Sequence, residues 1–125
     1  MSKRNIPSEE DFRRADAADR ERHRGLSEVS EQIKNRFEKS GVHEVFMFYS
    51  SKTPNTFYSR IFYRWTRQIE EAEKSGLASR IKDAVYEELE RVGRGDRKTI
   101  KVDFEFDSHE NVERDYGGNY FNRLR

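Results

Sequence analysis

Residues 99–107 read TIKVDFEFD, in which apolar and polar side chains alternate without a break. Because successive residues of a β-strand point to opposite faces of a sheet, this pattern predicts a half-buried strand. One face of the strand is apolar and the other is acidic. The apolar residues are Ile100, Val102, Phe104 and Phe106, and the acidic residues are Asp103, Glu105 and Asp107. We expect the rest of the chain to cover the apolar face, so the functional question concerns the acidic face.

The composition indicates one small domain with one modest core, as expected of a chain of 125 residues. The 25 basic and 24 acidic residues nearly cancel, whereas a dedicated nucleic-acid-binding protein usually shows a clear basic excess. Because the chain has no cysteine, disulfides and thiolate metal sites are excluded. The sequence contains neither a signal-peptide pattern nor an apolar run of membrane-spanning length, which predicts a cytoplasmic protein.

The hydrophobic periodicity outside residues 99–107 predicts helices and strands that together form an α+β fold. The predicted order is helix 26–37 ending at Gly41, strand 42–49, a segment 57–65, helix 68–74, helix 77–92 and a helical turn at 108–115. The segment 57–65 fits both a strand and a helix, and its aromatic content favours the strand. We therefore expect a small antiparallel sheet of about three strands, covered by helices on one face in a two-layer sandwich.

The N-terminal residues 1–25 are densely charged and offer little to bury, which is typical of a charged arm or a frayed helix. The residues from Ser8 to Asp11 resemble a helix start, with a capping hydroxyl followed by acids that favour the helix N-terminus. Residues 26–125 are predicted to form the single α+β domain.

The acidic row 103–107, with Glu110 shortly after it, allows three interpretations. It is a solvated strand face whose charges are neutralised by Lys101 and the basic connector 93–98, a surface that binds a partner, or a site for a hard cation such as Mg²⁺. As a partner surface, carboxylates on a rigid sheet resemble nucleic-acid phosphates and match the basic active site of a nuclease. Under that interpretation three aromatic rings serve as anchors, namely Trp65, Tyr116 and Tyr120. For any one of these rings, ordinary packing is the competing interpretation.

A second group of residues suggests a nucleic-acid-binding module. Three arginines alternate with aromatic residues in the segment 57–67, a pattern suited both to single-stranded RNA and to an ordinary sheet face. These residues are Arg60, Arg64 and Arg67, and Tyr58, Tyr63 and Trp65. The histidines His23, His43 and His109 are far apart in sequence, and a single histidine without positioned partners does not make a catalytic site.

The arrangement resembles a family of small bacterial proteins. A charged N-terminal helix leads to an aromatic strand pair, EVFMFY at 44–49 and FYSRIFY at 57–63, then to a helix and a late strand, VDFEFD at 102–107. This order is similar to the immunity proteins that protect bacteria from their own polymorphic or contact-dependent toxins, especially the antitoxins of the YezG group. The resemblance covers about residues 26–125.

The resemblance implies a non-enzymatic inhibitor without a cofactor, which binds one cognate toxin C-terminal domain in the cytoplasm. Combined with the acidic row, it leads us to expect occlusion of a nuclease active site, with no membrane partner and with nucleic acid disfavoured as a partner. Asp103, Glu105, Asp107 and Glu110 would then carry the electrostatics.

Overall fold

The computed structural model describes residues 8–125, apart from the side chains of Phe12, Asp16 and Asp19. Within this range the chain forms six α-helices and three strands. In chain order these are α1 (Glu9–His23), α2 (Leu26–Phe37), β1 (Val42–Tyr49), β2 (Thr56–Tyr63), α3 (Arg67–Ser75), α4 (Leu77–Arg91), β3 (Lys101–Ser108), α5 (His109–Tyr116) and α6 (Tyr120–Leu124). A short 3-10 turn, Glu38–Ser40, separates α2 from β1. None of the helices in this range is long and apolar enough to cross a membrane.

The three strands form one sheet in the order β1-β2-β3, which confirms the predicted α+β class and strand number. The ambiguous segment 57–65 is a strand for most of its length. β1 and β2 are antiparallel, but β3 runs parallel to β2, so the expectation of a wholly antiparallel sheet is wrong for this pair. The two helices α3 and α4 between β2 and β3 carry the chain back to the end of the sheet where β2 begins. A crossover of this kind is what parallel pairing requires.

The core lies between one face of the sheet and the helices α2 and α4, as the sequence pattern predicts. Each of these helices buries one apolar stripe, and the sheet face below contributes residues from all three strands. The fully or nearly buried residues include Leu26, Val29, Ile33 and Phe37 of α2, Ile81, Val85 and Leu89 of α4, and Val45, Ile61 and Val102 of the sheet. Phe104 and Phe106 pack against this core while remaining partly exposed.

The predicted end of α2 is confirmed. Gly41 has a φ of 107°, in the left-handed region that favours glycine, and the 3-10 turn precedes it. Its carbonyl accepts a hydrogen bond from the backbone N–H of Arg64, which fixes the start of β1 against the end of β2.

The predicted helix start at Ser8 is also confirmed, since Ser8 and Asp11 form a reciprocal capping box. The end of α1 is attached to the body of the protein through Arg24, whose Nη1 donates to the carbonyl of Val92 at 2.7 Å. Residues 1–7 of the predicted charged arm lie outside the described residues.

The C-terminal helix α6 was not predicted, and it lies against the sheet face opposite α2 and α4. Its residue Tyr120 packs on Phe46 of β1 and Phe62 of β2, with ring centroids 5.4 and 5.0 Å away. The second face is therefore partly covered at one end.

Candidate protein interface on the open sheet face

We call the sheet face opposite α2 and α4 the open face. The strand register arranges its side chains in three rows that run across β1, β2 and β3. These rows are Phe48, Tyr58 and Asp103; Phe46, Arg60 and Glu105; and Glu44, Phe62 and Asp107. The predicted acidic row lies along β3 and therefore contributes one residue to each of these three rows. Beside it, β2 carries Arg60 at its centre, and β1 carries Phe46 and Phe48.

Arg60 of β2 is the first cation that meets the acidic row. Its Nη1 donates to the backbone carbonyl of Asp103 at 3.1 Å, and its Nε lies 3.5 Å from Glu105 Oε2. The guanidinium also lies 5.4 Å from the centroid of the Tyr58 ring, which is cation–π distance. Arg60 is therefore held in place by the neighbouring strand β3 and by an aromatic ring of its own strand.

Arg123 of α6 is the second cation, and it binds two members of the acidic row. Its Nε donates to Asp107 Oδ2 at 2.8 Å, and its Nη2 donates to Glu105 Oε1. Burial lowers the pKa of Arg123, but the two carboxylates outweigh burial and keep the pKa above its ordinary value. The guanidinium also covers the ring of Phe62 at 5.6 Å. Lys101 and the connector 93–98, which the sequence predicts to neutralise the row, form no ion pair with it among the described residues; Arg60 and Arg123 take that role instead.

Asp107 is the most enclosed carboxylate of the row, with a side chain 18% exposed, compared with 56% for Asp103. Besides Arg123, it accepts from Asn111 Nδ2 and from the backbone N–H of Ser108, both at 2.8 Å. Burial raises the pKa of Asp107, but these hydrogen bonds outweigh it, so the net pKa lies below the ordinary value. Asp107 therefore joins β3, α5 and α6, whereas Asp103 is more accessible to a partner.

Glu110 lies in the first turn of α5 and is not a member of the three rows. Its Oε1 accepts from the backbone N–H of Thr66 at 2.9 Å, and this hydrogen bond lowers the pKa of Glu110. Its own backbone N–H donates to the carbonyl of Arg64. Glu110 thus fixes the junction between β2 and α3.

The structure brings one of the three proposed aromatic anchors to the open face. Tyr120 is half-buried there, its hydroxyl lies 2.7 Å from Nδ1 of His109, and burial raises its pKa to about 12. Trp65 and Tyr116 are 47% and 41% exposed, but they lie outside the three rows. Two other exposed rings belong to the open face or its rim, namely Phe48 at 38% and Phe121 at 73% exposure. Phe48 shares the strand parity of Phe46, so the alternation within 42–49 places both rings on one face of the sheet.

The structure also brings together two histidines that the sequence keeps far apart. The ring centroids of His43 and His109 lie 4.2 Å apart with the planes tilted by 37°, and Nε2 of His109 lies 3.1 Å from Glu113 Oε1. Burial and the neighbouring His109 lower the pKa of His43, although Glu44 opposes this. The register shift between Val42 and Glu44 in β1 places His43 at an irregularity that no local sequence pattern marks.

The residues of the two alternative interpretations do not form the expected clusters. Tyr63 is fully buried on the core side, opposite Arg60 and Tyr58, so the arginines and rings of 57–67 do not share one surface. Within residues 8–125, no group of three or more histidine, aspartate or glutamate side chains is arranged to hold a metal ion. The carboxylates of the row bind arginine side chains.

Comparison of this chain with protein-family models, curated proteins and solved structures gave no match.

Proposed function

We propose that this protein is an inhibitory binding protein, an immunity protein that acts in the cytoplasm and neutralises a cognate bacterial toxin domain. The toxin domain in this proposal is a nuclease, and the open face is the surface that occludes its active site. The observation that supports this assignment is the combination, on one rigid sheet, of exposed aromatic rings with charged side chains held in fixed positions.

The aromatic part of this surface is suited to a protein partner. Phe48 and Tyr58 lie side by side in the first row, and Asp103 continues that row. Aromatic rings are enriched at the energetic centres of protein interfaces, and polar groups surround them there. Since β1 and β2 hold both rings on a paired antiparallel ladder, little conformational entropy would be lost when they are covered.

The charged part differs from the bare acidic row that the sequence suggested. Asp103, Glu105 and Asp107 face two guanidinium groups, so electrostatic steering towards a basic active site is weaker than three free carboxylates would give. Asp103 and Glu105 are 56% and 43% exposed, and both remain accessible to a lysine or arginine of a partner. We therefore assign partner recognition to Asp103, Glu105 and the neighbouring rings, and assign Asp107 and Glu110 to positioning.

The test is co-purification with the C-terminal domain of a toxin-like protein encoded directly upstream, followed by calorimetry and a nuclease assay. We expect one-to-one binding with a nanomolar dissociation constant, a range common for specific protein inhibitors, and loss of nuclease activity on binding. A nuclease domain of similar size and charge from an unrelated protein serves as the control. Absence of binding to the cognate domain, or equal binding to the unrelated one, would contradict the proposal.

A further inference from the structure

A second surface feature, separate from the open face, is a cleft of about 240 Å³ beside the β1–β2 turn. We call it the arginine cleft because Arg22 and Arg94 both line it, from the end of α1 and from the segment after α4. The rings of Tyr49 and Phe57 form part of its wall, and the turn adds Ser51 and other polar residues. Tyr49 and Phe57 belong to the strand face that packs towards α2 and α4, so the cleft opens away from the open face.

Arg94 is fixed in the cleft by two carbonyl groups and an aromatic ring, and it forms no direct ion pair with a carboxylate among the described residues. Its Nη1 donates to the backbone carbonyls of Glu21 and Arg24, at 2.7 and 3.3 Å, and its guanidinium lies 5.1 Å from the centroid of Phe57. These contacts orient the planar group, and its positive charge is only partly offset by Glu21, whose carboxylate is bonded to Arg24. Burial and the nearby Arg24 lower the pKa of Arg94, and the opposing effect of Glu21 does not outweigh them, which indicates that the charge is held at an energetic cost.

Arg22 supplies the second guanidinium of the cleft. It lies 5.8 Å from the centroid of Tyr49, and its Nη1 is 3.4 Å from the hydroxyl of that tyrosine. Because Tyr49 and Phe57 are direct partners in the β1–β2 ladder, the two arginines rest on neighbouring rings. Both guanidinium groups line the same cleft, so an anion bound there would lie near two positive charges.

The residues that line the cleft differ in charge from those on the surface around it. The chain has 24 acidic residues, yet none lines this cleft among the residues that the structure describes. Other surface arginines are paired, for example Arg91 with Glu28 and Arg97 with Asp83, at 3.0 and 2.5 Å. Ser51, whose hydroxyl makes no hydrogen bond within residues 8–125, adds a donor at the cleft rim.

We propose that the arginine cleft is a binding site for a phosphate group, either free or as the terminal group of a phosphomonoester. A guanidinium presents parallel N–H donors that match the oxygens of a phosphate, and two guanidiniums with a hydroxyl match a tetrahedral oxyanion. The site is independent of the open face, so a ligand here would be bound by the inhibitor whether or not a toxin is present.

The test is calorimetric titration of the full chain with inorganic phosphate and with glycerol 3-phosphate, at constant ionic strength and pH 7.5. We expect saturable one-site binding of at least one probe, with equal affinity for both if the phosphate group alone is recognised. Tighter binding of glycerol 3-phosphate would identify an ester as the ligand. Absence of saturable binding of both probes would overturn the proposal.

Two variants and a matched control separate a specific site from general attraction to positive charge. Arg22→Gln removes a donor, and Ser51→Asp places a carboxylate at the rim; each should weaken phosphate binding about tenfold or more, the usual effect of one charge-assisted hydrogen bond. Arg97→Gln removes the same charge as Arg22→Gln from a residue outside the cleft and should leave the affinity unchanged. If Arg97→Gln weakens binding as much as Arg22→Gln, the proposal is wrong. Circular dichroism spectra of all three variants check that the fold is retained.

Discussion

Arg123 Nε lies 2.8 Å from Asp107 Oδ2, and this contact ties the last helix of the chain to its last strand. The same guanidinium also binds Glu105 and covers the ring of Phe62. Arg123 therefore helps Tyr120 to hold α6 on the sheet, and it also reduces the net charge of the acidic row.

Replacing Arg123 should release α6 and destabilise the protein. Arg123→Gln removes both ion pairs and leaves the enclosed carboxylate of Asp107 with fewer donors. Hydrogen bonds to charged groups contribute about 1.5–3 kcal/mol each, so we expect a loss of about 2 kcal/mol in the free energy of unfolding. Urea denaturation measures it. Arg125→Gln is the matched control, because Arg125 lies over the exposed ring of Phe121 and forms no ion pair within the described residues. Equal stability of the two variants would show that the Arg123 contacts contribute nothing.

The lowered pKa of Asp107 predicts a specific loss of stability in acid. A carboxyl whose folded pKa lies below the ordinary value of 3.8 stabilises the fold above that pH. The contribution is lost as the pH falls below about 4 and through the folded pKa, since the unfolded chain takes up the proton first. Asp107→Asn should therefore be less stable than the wild type at pH 7, and the difference should shrink below pH 4. A difference that does not change from pH 7 to pH 3 would contradict this assignment.

The contact between His43 and His109 predicts a second pH dependence, near neutrality. Burial and the positive groups around His43, which are His109, Arg64 and Lys34, lower its pKa against the opposing effect of Glu44. The unfolded chain therefore binds a proton at His43 first as the pH falls below 6.5, and the stability decreases with it. We expect His43→Gln to lose less stability than the wild type between pH 7.5 and pH 5, measured by urea denaturation. Identical pH profiles would show that His43 does not contribute.

Two tyrosines provide a matched test of buried hydroxyl groups. The hydroxyl of Tyr63 is buried and has no hydrogen-bond partner within the described part of the chain, whereas the hydroxyl of Tyr120 is bonded to His109. Because an unpaired buried hydroxyl is costly and a paired one is stabilising, the same substitution should act in opposite directions. Tyr63→Phe should leave the stability unchanged or raise it by up to about 1 kcal/mol, and Tyr120→Phe should lower it by about 1 kcal/mol. Thermal unfolding measures both, and a larger loss for Tyr63→Phe would contradict the assignment.

The sequence predicted most of the local structure because each element carries its own periodic signal. The alternation in 99–107 marks β3, and the apolar spacing in 26–37 and 77–92 marks the helices over the core. The direction of β3 was mispredicted because alternation is the same for parallel and antiparallel strands. The helix α6 was missed because its five residues, 120–124, are too few to show a period.

The candidate site was less predictable than the fold because it depends on contacts between distant parts of the chain. The acidic face of β3 was recognised from local alternation alone. The neutralisation of this face depends on the strand register that places Arg60 beside Glu105. It also depends on helix α6, which places Arg123 next to Glu105. The meeting of His43 with His109 likewise requires a β-bulge that composition does not indicate.

The proposed interface predicts which side chains of the open face matter for binding. Asp103→Lys should weaken binding of the toxin domain about tenfold or more, because an exposed carboxylate beside a basic partner becomes a repelling cation. Phe48→Ala should have a similar effect, since truncation of an aromatic anchor commonly costs more than 1 kcal/mol of binding free energy. Asp107 is unsuited to this test, because its loss would also release α6.

The control for the charge reversal is Glu31→Lys, an equal change in charge at an exposed residue of α2 on the opposite side of the sheet. Calorimetry with the toxin domain measures all three affinities, and urea denaturation checks that Asp103→Lys and Phe48→Ala keep their stability. If Glu31→Lys weakens binding as much as Asp103→Lys, the toxin senses only the overall charge. If neither open-face variant changes the affinity while the wild type binds, the toxin docks elsewhere, and the inhibitor function must then be assigned to another surface.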